Sequence, residues 1–188
     1  MKNLIARLLL FALGVPCIVL AALYFPYLHY LPISALILVF AAGSSLELSS
    51  LLTLGDKKLP AIQSMIAGTI PPLTAYLARV LFKLQVSDMI AAAVLSVVLI
   101  FIKISAIFVF TRNAETVGDS VSHSIKLMFI SIYPGFLSAL LITLLAFDDA
   151  VYFLLWFAAI VFSNDSLAWL FGITIGKHRG IFTLSPKK

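Results

Sequence analysis

Cysteine is almost missing: Cys17 is the only one in 188 residues. An intramolecular disulfide framework is therefore excluded, and so is a cysteine-based metal site. Charge is scarce as well. Asp, Glu, Lys and Arg make up 11% of the chain, against roughly 25% in a soluble domain. There is no clear internal repeat, no low-complexity tract and no long flexible linker; the longest polar stretch runs only from Thr111 to Ser124. What is present is apolar, with hydrophobic residues at 62% and a mean hydropathy of +1.13. In water such a chain would leave too much apolar surface exposed. Lipid accepts that surface, provided each span satisfies its own backbone hydrogen bonds as a helix. The expected fold class is all-α, a polytopic transmembrane helical bundle.

Apolar runs of about 20 residues predict about six spans, near residues 4 to 28, 32 to 54, 60 to 82, 88 to 110, 127 to 147 and 150 to 175. The first is too long for a signal h-region and lacks a small-x-small cleavage site, so it is expected to stay attached. Pro16 in the first span and Pro71-Pro72 in the third are expected to kink or interrupt their helices, because proline removes a backbone donor and crowds the preceding turn. Thr111 to Ser124 reads as a solvated loop. Its Arg112, Glu115, Asp119 and His123 also recur at the spacing of one helical face, as in a short interfacial helix, although Gly118 weakens that reading.

Positive charge sets the expected orientation. With both termini cytoplasmic, Lys2, Arg7, Lys57, Lys58, Arg112, Lys126, Lys177, Arg179, Lys187 and Lys188 lie inside. Only Arg79 and Lys83 then approach the other side, the asymmetry of the positive-inside rule. The outer loops agree: Tyr27 to Leu31 carries no Lys or Arg, and Phe147-Asp148-Asp149 is acidic.

A charge inside a membrane segment costs roughly 2.5 to 3.5 kcal/mol on insertion scales, which makes each one a functional candidate. Glu47, Lys103 and Asp165 lie about 8, 8 and 10 residues from the cytoplasmic ends of their spans, hence roughly 12 to 15 Å deep. At a common depth the three can meet in a bundle interior, either as a structural ion pair or as an intramembrane polar site at Glu47 and Lys103. Gly43, Glu47, Ser50 and Leu54 share one face, which suits tight helix contact or a water-filled cavity.

The last span ends in a denser pattern: Ser163-Asn164-Asp165, Trp169, Phe171-Gly172, Gly176-Lys177-His178 and Ser185-Pro186-Lys187-Lys188. Helix geometry puts Asp165, Gly172 and Gly176 within about 20° of one line. Spacing alone fits helix packing, because Gly172 and Gly176 form a small-xxx-small pair. It also fits phosphate binding, since glycine lets a ligand reach the backbone. Lys177, Arg179, Lys187 and Lys188 are either a positive-inside flank or cations for an anionic substrate whose Mg²⁺ an acid would hold. His178 has no second His or Cys nearby and reads as a solvated or phosphate-facing side chain rather than a metal ligand.

The order Asn164-Asp165-Ser166-x-Ala168-Trp169-x-Phe171-Gly172-x3-Gly176-Lys177, followed by Leu184-Ser185-Pro186-Lys187-Lys188, closely resembles the phosphatidate cytidylyltransferases, the CDP-diacylglycerol synthases of phospholipid synthesis. Glu47 late in an early span and Tyr133-Pro134-Gly135 inside a later one also resemble that family. The resemblance implies an integral membrane nucleotidyltransferase that uses CTP, phosphatidate and Mg²⁺. It implies Asp165 and Lys177 as catalytic residues, with Asp165 toward the metal. Asn164, Gly172, Gly176, Ser185, Lys187 and Lys188 are implied to bind substrate.

Family members continue past Ser-Pro-Lys-Lys into further spans and a second signature with Lys-Asp and Asp-Arg-x-Asp elements, understood to hold the metal. The chain is thus expected to span the family's N-terminal two-thirds. Residues 1–125 would form N-terminal membrane helices with cytoplasmic loops, and 126–188 the start of a catalytic region truncated at its C-terminal end. Implied partners are CTP, phosphatidate and the bilayer, with a second copy of the chain or a complementing C-terminal fragment; no nucleic acid is expected. The implied location is a bacterial inner membrane, with the site facing the cytoplasm. Two other readings stay open. One is a CTP-dependent lipid or polyprenol kinase; the other is a non-enzymatic membrane scaffold or transporter fragment whose charges set helix register or carry protons.

Overall fold

A computed structural model describes residues 14, 16–52, 59–110 and 114–174. Every regular element among them is helical: α1 (residues 16–24), α2 (Tyr27–Leu51), α3 (Ala61–Phe82), α4 (Val86–Phe110), α5 (Ala114–Ile130), a π-helical turn (Ser131–Phe136), α6 (Leu137–Leu144) and α7 (Ala150–Thr174). Five stretches are long and apolar enough to cross a membrane: Tyr27–Leu51, Ala61–Phe82, Val86–Ala106, Ser120–Leu144 and Ala150–Ala168. The protein is an integral, multi-pass membrane protein. Of the expected first span, 4 to 28, residues 4–13 and 15 lie outside the described residues, and 16–24 are helical. Leu20–Ala150 forms one compact unit, and α7 from Val151 onward belongs to a second, described on its own.

Within Leu20–Ala150 the usual distribution of side chains is inverted. Large apolar residues such as Leu36, Phe40, Ile62, Leu99 and Ile102 are exposed, while Ala41, Ser45, Ser64, Ala75, Ala93 and Ala139 are buried. Lipid is as apolar as leucine, so bulky side chains gain nothing by hiding from it; small ones let helix backbones approach and gain dispersion contacts. Most of the buried hydroxyls bond back to their own helices. Ser45 Oγ donates to the Ala41 carbonyl at 2.5 Å, Ser96 Oγ to Ala93 at 2.7 Å and Thr143 Oγ1 to Leu140 at 2.7 Å. These bonds satisfy polar groups that have no water to turn to.

Helix α3 packs against α2, α4, α5, the π turn and α6. Its buried positions, Ser64, Ala67, Gly68, Pro71, Pro72, Ala75, Tyr76 and Ala78, are nearly all small. A Cβ built on Gly68 would collide with the Ser45 hydroxyl and come within 2.9 Å of Ser45 Cβ, so α2 and α3 touch backbone to side chain there. On the opposite partner, a Cβ on Gly135 would lie 3.2 Å from the Gly68 carbonyl oxygen, 3.3 Å from that of Ala67 and 3.2 Å from Pro71 Cγ. The expected interruption at Pro71-Pro72 does not occur, for α3 is continuous from Ala61 to Phe82. The prolines remove the donors that would have bonded the carbonyls of Ala67 and Gly68. Both rings are buried in neighbouring helices, and that packing holds the helix together across the two missing bonds.

A third proline acts differently. Pro134 cannot bond the carbonyl of Ile130, and the chain widens into a π turn at Ser131–Phe136, the local adjustment that accommodates proline inside a continuous span. Ser131 Oγ is buried in this turn with no hydrogen-bond partner. The loop expected over Thr111 to Ser124 is corrected as well, because residues 114–124 are helical and run without a break into the apolar half of α5. The three-to-four spacing of that stretch prevailed over the single glycine, since helix propagation adds one bond per residue to an existing span.

At the start of α2 the backbone is left-handed over Leu28, His29 and Tyr30, with φ of 49°, 56° and 53°. Each such residue costs about 1–2 kcal/mol. Right-handed helix follows, and Pro32 falls in its first turn, where a missing N–H does no harm.

The glycine contacts give a direct test. Gly68→Ala and Gly135→Ala should each lower stability in detergent by about 1–3 kcal/mol, the range for overpacking, while Ser45→Gly should partly rescue Gly68→Ala. Gly118, with no atom within 4 Å of its built Cβ, should tolerate Ala or gain up to about 1 kcal/mol from helix propensity. Thermal unfolding of the purified variants reads all four, and equal melting of Gly135→Ala and the parent would refute the close contact.

Candidate functional site

The Asn-Asp pair lies within α7, which runs unbroken from Ala150 to Thr174. The long apolar run on its N-terminal side propagates the helix through Ser163-Asn164-Asp165-Ser166, because each added residue contributes a backbone bond that the short polar side chains do not displace. Ser163, Asn164 and Ser166 are exposed. Asp165 and Gly172 are seven positions apart on this one helix, so their Cα atoms stand about 10 Å apart, two turns along nearly the same face. Gly176, Lys177, Ser185, Lys187 and Lys188, expected to complete the site, lie outside the described residues.

Glu47 and Lys103 are placed clearly, and the structure does not bring them together. Both side chains are exposed on the Leu20–Ala150 unit. Helices α2 and α4 do not pack on each other; each packs on α3, which stands between them. Glu47 is also shallower than its span suggested, since α2 ends at Leu51, four residues on, or about 6 Å along the axis.

The polar face of Gly43, Glu47 and Ser50 points away from the bundle, and nothing lies within 4 Å of a Cβ built on Gly43. The tight contact expected there belongs instead to Ser34, Ser45 and Ser49, which are buried. A serine that bonds its own helix carbonyl presents a small, satisfied surface; a carboxylate cannot, and stays outside.

One residue of interest went unread in the sequence. Lys126 is 8% exposed, although its position at the edge of an apolar run marked it only as a flanking cation. It opens the apolar half of α5 next to Leu127, which packs in a cluster with Leu59, Ala67, Ile104 and Ile130. The only signal was its place between Ile125 and Leu127, and helix packing, not charge pattern, decides that it is enclosed. Among the described residues no three His, Cys, Asp or Glu side chains gather as a metal-holding group.

The cytidylyltransferase family matches residues 5–188, essentially the whole chain. The chain belongs to that family. It is a family that includes the phosphatidate cytidylyltransferases, and membership gives a CTP-using nucleotidyl transfer as the chemistry of this cytidylyltransferase. No curated protein and no solved structure matches the chain.

Because α3 separates them, Glu47 and Lys103 should act independently on stability. In a double-mutant cycle with Glu47→Gln and Lys103→Gln, the coupling energy should stay below about 0.5 kcal/mol, the additive limit for distant sites. A coupling above about 1 kcal/mol, read from thermal unfolding, would instead require a contact between them.

Proposed function

We propose that this cytidylyltransferase makes CDP-diacylglycerol in the membrane, from CTP and phosphatidate. The observation that carries the reading is the family match across residues 5–188, joined to one continuous helix that bears Asn164, Asp165 and Gly172. The membrane-spanning helices suit a substrate whose acyl chains never leave the bilayer.

In the proposed reaction an oxygen of the phosphatidate phosphate attacks the α-phosphorus of CTP. The bond from that phosphorus to the oxygen bridging it to the β-phosphate breaks, and pyrophosphate leaves with the bonding pair. Little covalent work falls to the protein, and rate comes from positioning and charge neutralisation. Asn164 holds the nucleotide edge. Asp165 supplies the carboxylate for Mg²⁺, an ion commonly held by one or two carboxylates plus substrate phosphates. When bound, the metal neutralises triphosphate charge. Gly172 and Gly176 carry no side chain to keep phosphate from the backbone, and Lys177 offsets the charge that develops there. Ser185, Lys187 and Lys188 cradle the triphosphate or the phosphatidate headgroup. The positive-inside asymmetry supports a cytoplasmic site, where CTP is available; the proposed location is a bacterial inner membrane.

Membranes carrying the protein, given labelled CTP, phosphatidate and Mg²⁺, should form labelled CDP-diacylglycerol and pyrophosphate. Asp165→Asn should lower that rate by about tenfold or more, because an amide cannot replace the carboxylate charge toward a cation. Product formed at the full rate by the mutant would remove Asp165 from the chemistry. Appearance of CDP with a phosphorylated alcohol, without pyrophosphate, would replace nucleotidyl transfer by phosphoryl transfer.

A further inference from the structure

At one end of the Leu20–Ala150 unit, where α2 begins and α3 and α6 end, a cavity of about 530 Å³ opens. Its wall includes Leu28, His29, Tyr30 and Lys83. These four are the only non-glycine residues with positive φ among the described residues. Left-handed backbone persists only where its surroundings over-determine it, and it collects at ligand clamps.

The surroundings here do hold it. Tyr76 Oη donates to the Leu28 carbonyl at 3.0 Å, His29 Nε2 to the Ile142 carbonyl at 3.3 Å, and Ser34 Oγ to the His29 carbonyl at 3.1 Å. Three helices therefore fix one strained turn against the cavity.

Lys83 is the more telling of the strained positions. It caps α3 in the left-handed conformation, with φ 52° and ψ 32°, a place where glycine would be free of strain. The chain carries a cation there instead. Arg79, one turn earlier, also lines the cavity; its Nη1 donates to the Leu84 carbonyl at 2.9 Å, which steadies the guanidinium and leaves its other donors for a ligand. Asp148 is the single carboxylate on the wall. Two cations against one carboxylate suit a phosphate ester of low net charge better than a triphosphate. Exposed Leu28 and Phe147 add apolar surface to the same wall, as a lipid-borne ligand requires.

We propose that this cavity binds the phosphate of a phospholipid headgroup. The site is built from residues other than those assigned to CTP, and it stands whether or not the CDP-diacylglycerol reading holds. A soluble phosphate would offer the same oxygens to Arg79 and Lys83, so the test separates the two sources.

The full chain, purified in mild detergent, is exposed to phosphatidylethanolamine, to phosphatidylglycerol or to diacylglycerol, and retained lipid is counted by native mass spectrometry. Phospholipid should be retained and diacylglycerol should not. Lys83→Gly keeps the left-handed cap while removing the cation, so it should melt at or above the parent temperature yet retain phospholipid about tenfold less, the scale of one charge-assisted hydrogen bond. Arg79→Gln should lower retention to a similar degree. Displacement of phospholipid by millimolar inorganic phosphate would support the phosphate site and make the soluble ion its competing ligand. Equal retention of phospholipid by the parent and Lys83→Gly, or equal retention of diacylglycerol and phospholipid by the parent, would overturn the proposal.

Discussion

Two missing side chains hold the bundle together. Gly68 lets α3 rest on Ser45 of α2, and Gly135 lets the π turn rest on the α3 backbone at Ala67 and Gly68. In lipid no apolar surface is driven out of solvent, so helices associate through dispersion and hydrogen bonds that reward only close approach. A methyl group at either glycine would hold the backbones apart and forfeit those contacts. The buried alanines and serines of α2, α3 and α6 follow from the same requirement, and the large side chains are left to face lipid.

That central position of α3 also governs where charge can go. With α2 and α4 on separate sides of it, Glu47 and Lys103 cannot neutralise each other, and both emerge at the surface of the unit. The three prolines, which in isolation would weaken helices, become compatible with continuous spans for two separate reasons. Pro71 and Pro72 are clamped by neighbours, whereas Pro134 is absorbed by a wider turn. Strain is concentrated at the other end of the unit, at Leu28 to Tyr30 and at Lys83, where side chains from α2 and α3 hold backbone conformations that L residues avoid.

The residues proposed for cytidylyl transfer were read from a linear pattern: an acid, an aromatic-glycine pair, a Gly-Lys and a Ser-Pro-Lys-Lys in one order along the chain. Such a pattern can be read without knowledge of contacts, and the chain matches the family over residues 5–188. The intramembrane triad was a different kind of inference. Equal depth was a one-dimensional argument, and whether residues at one depth meet depends on which helices are neighbours.

Composition and apolar run length alone determined that this chain is a helical membrane protein, because continuous apolar runs of about 20 residues fit spanning helices and not the short alternating strands of a closed barrel. Sequence order alone also pointed to the cytidylyltransferase family. Only the tertiary structure decided that Lys126 is enclosed, that Glu47 faces outward, that the double proline lies within an unbroken helix and that the strained turn, Arg79 and Lys83 share one cavity. The reason is common to all four. Each depends on which helix stands beside which, and in a membrane that choice is made by small residues whose spacing along the chain does not name their partner.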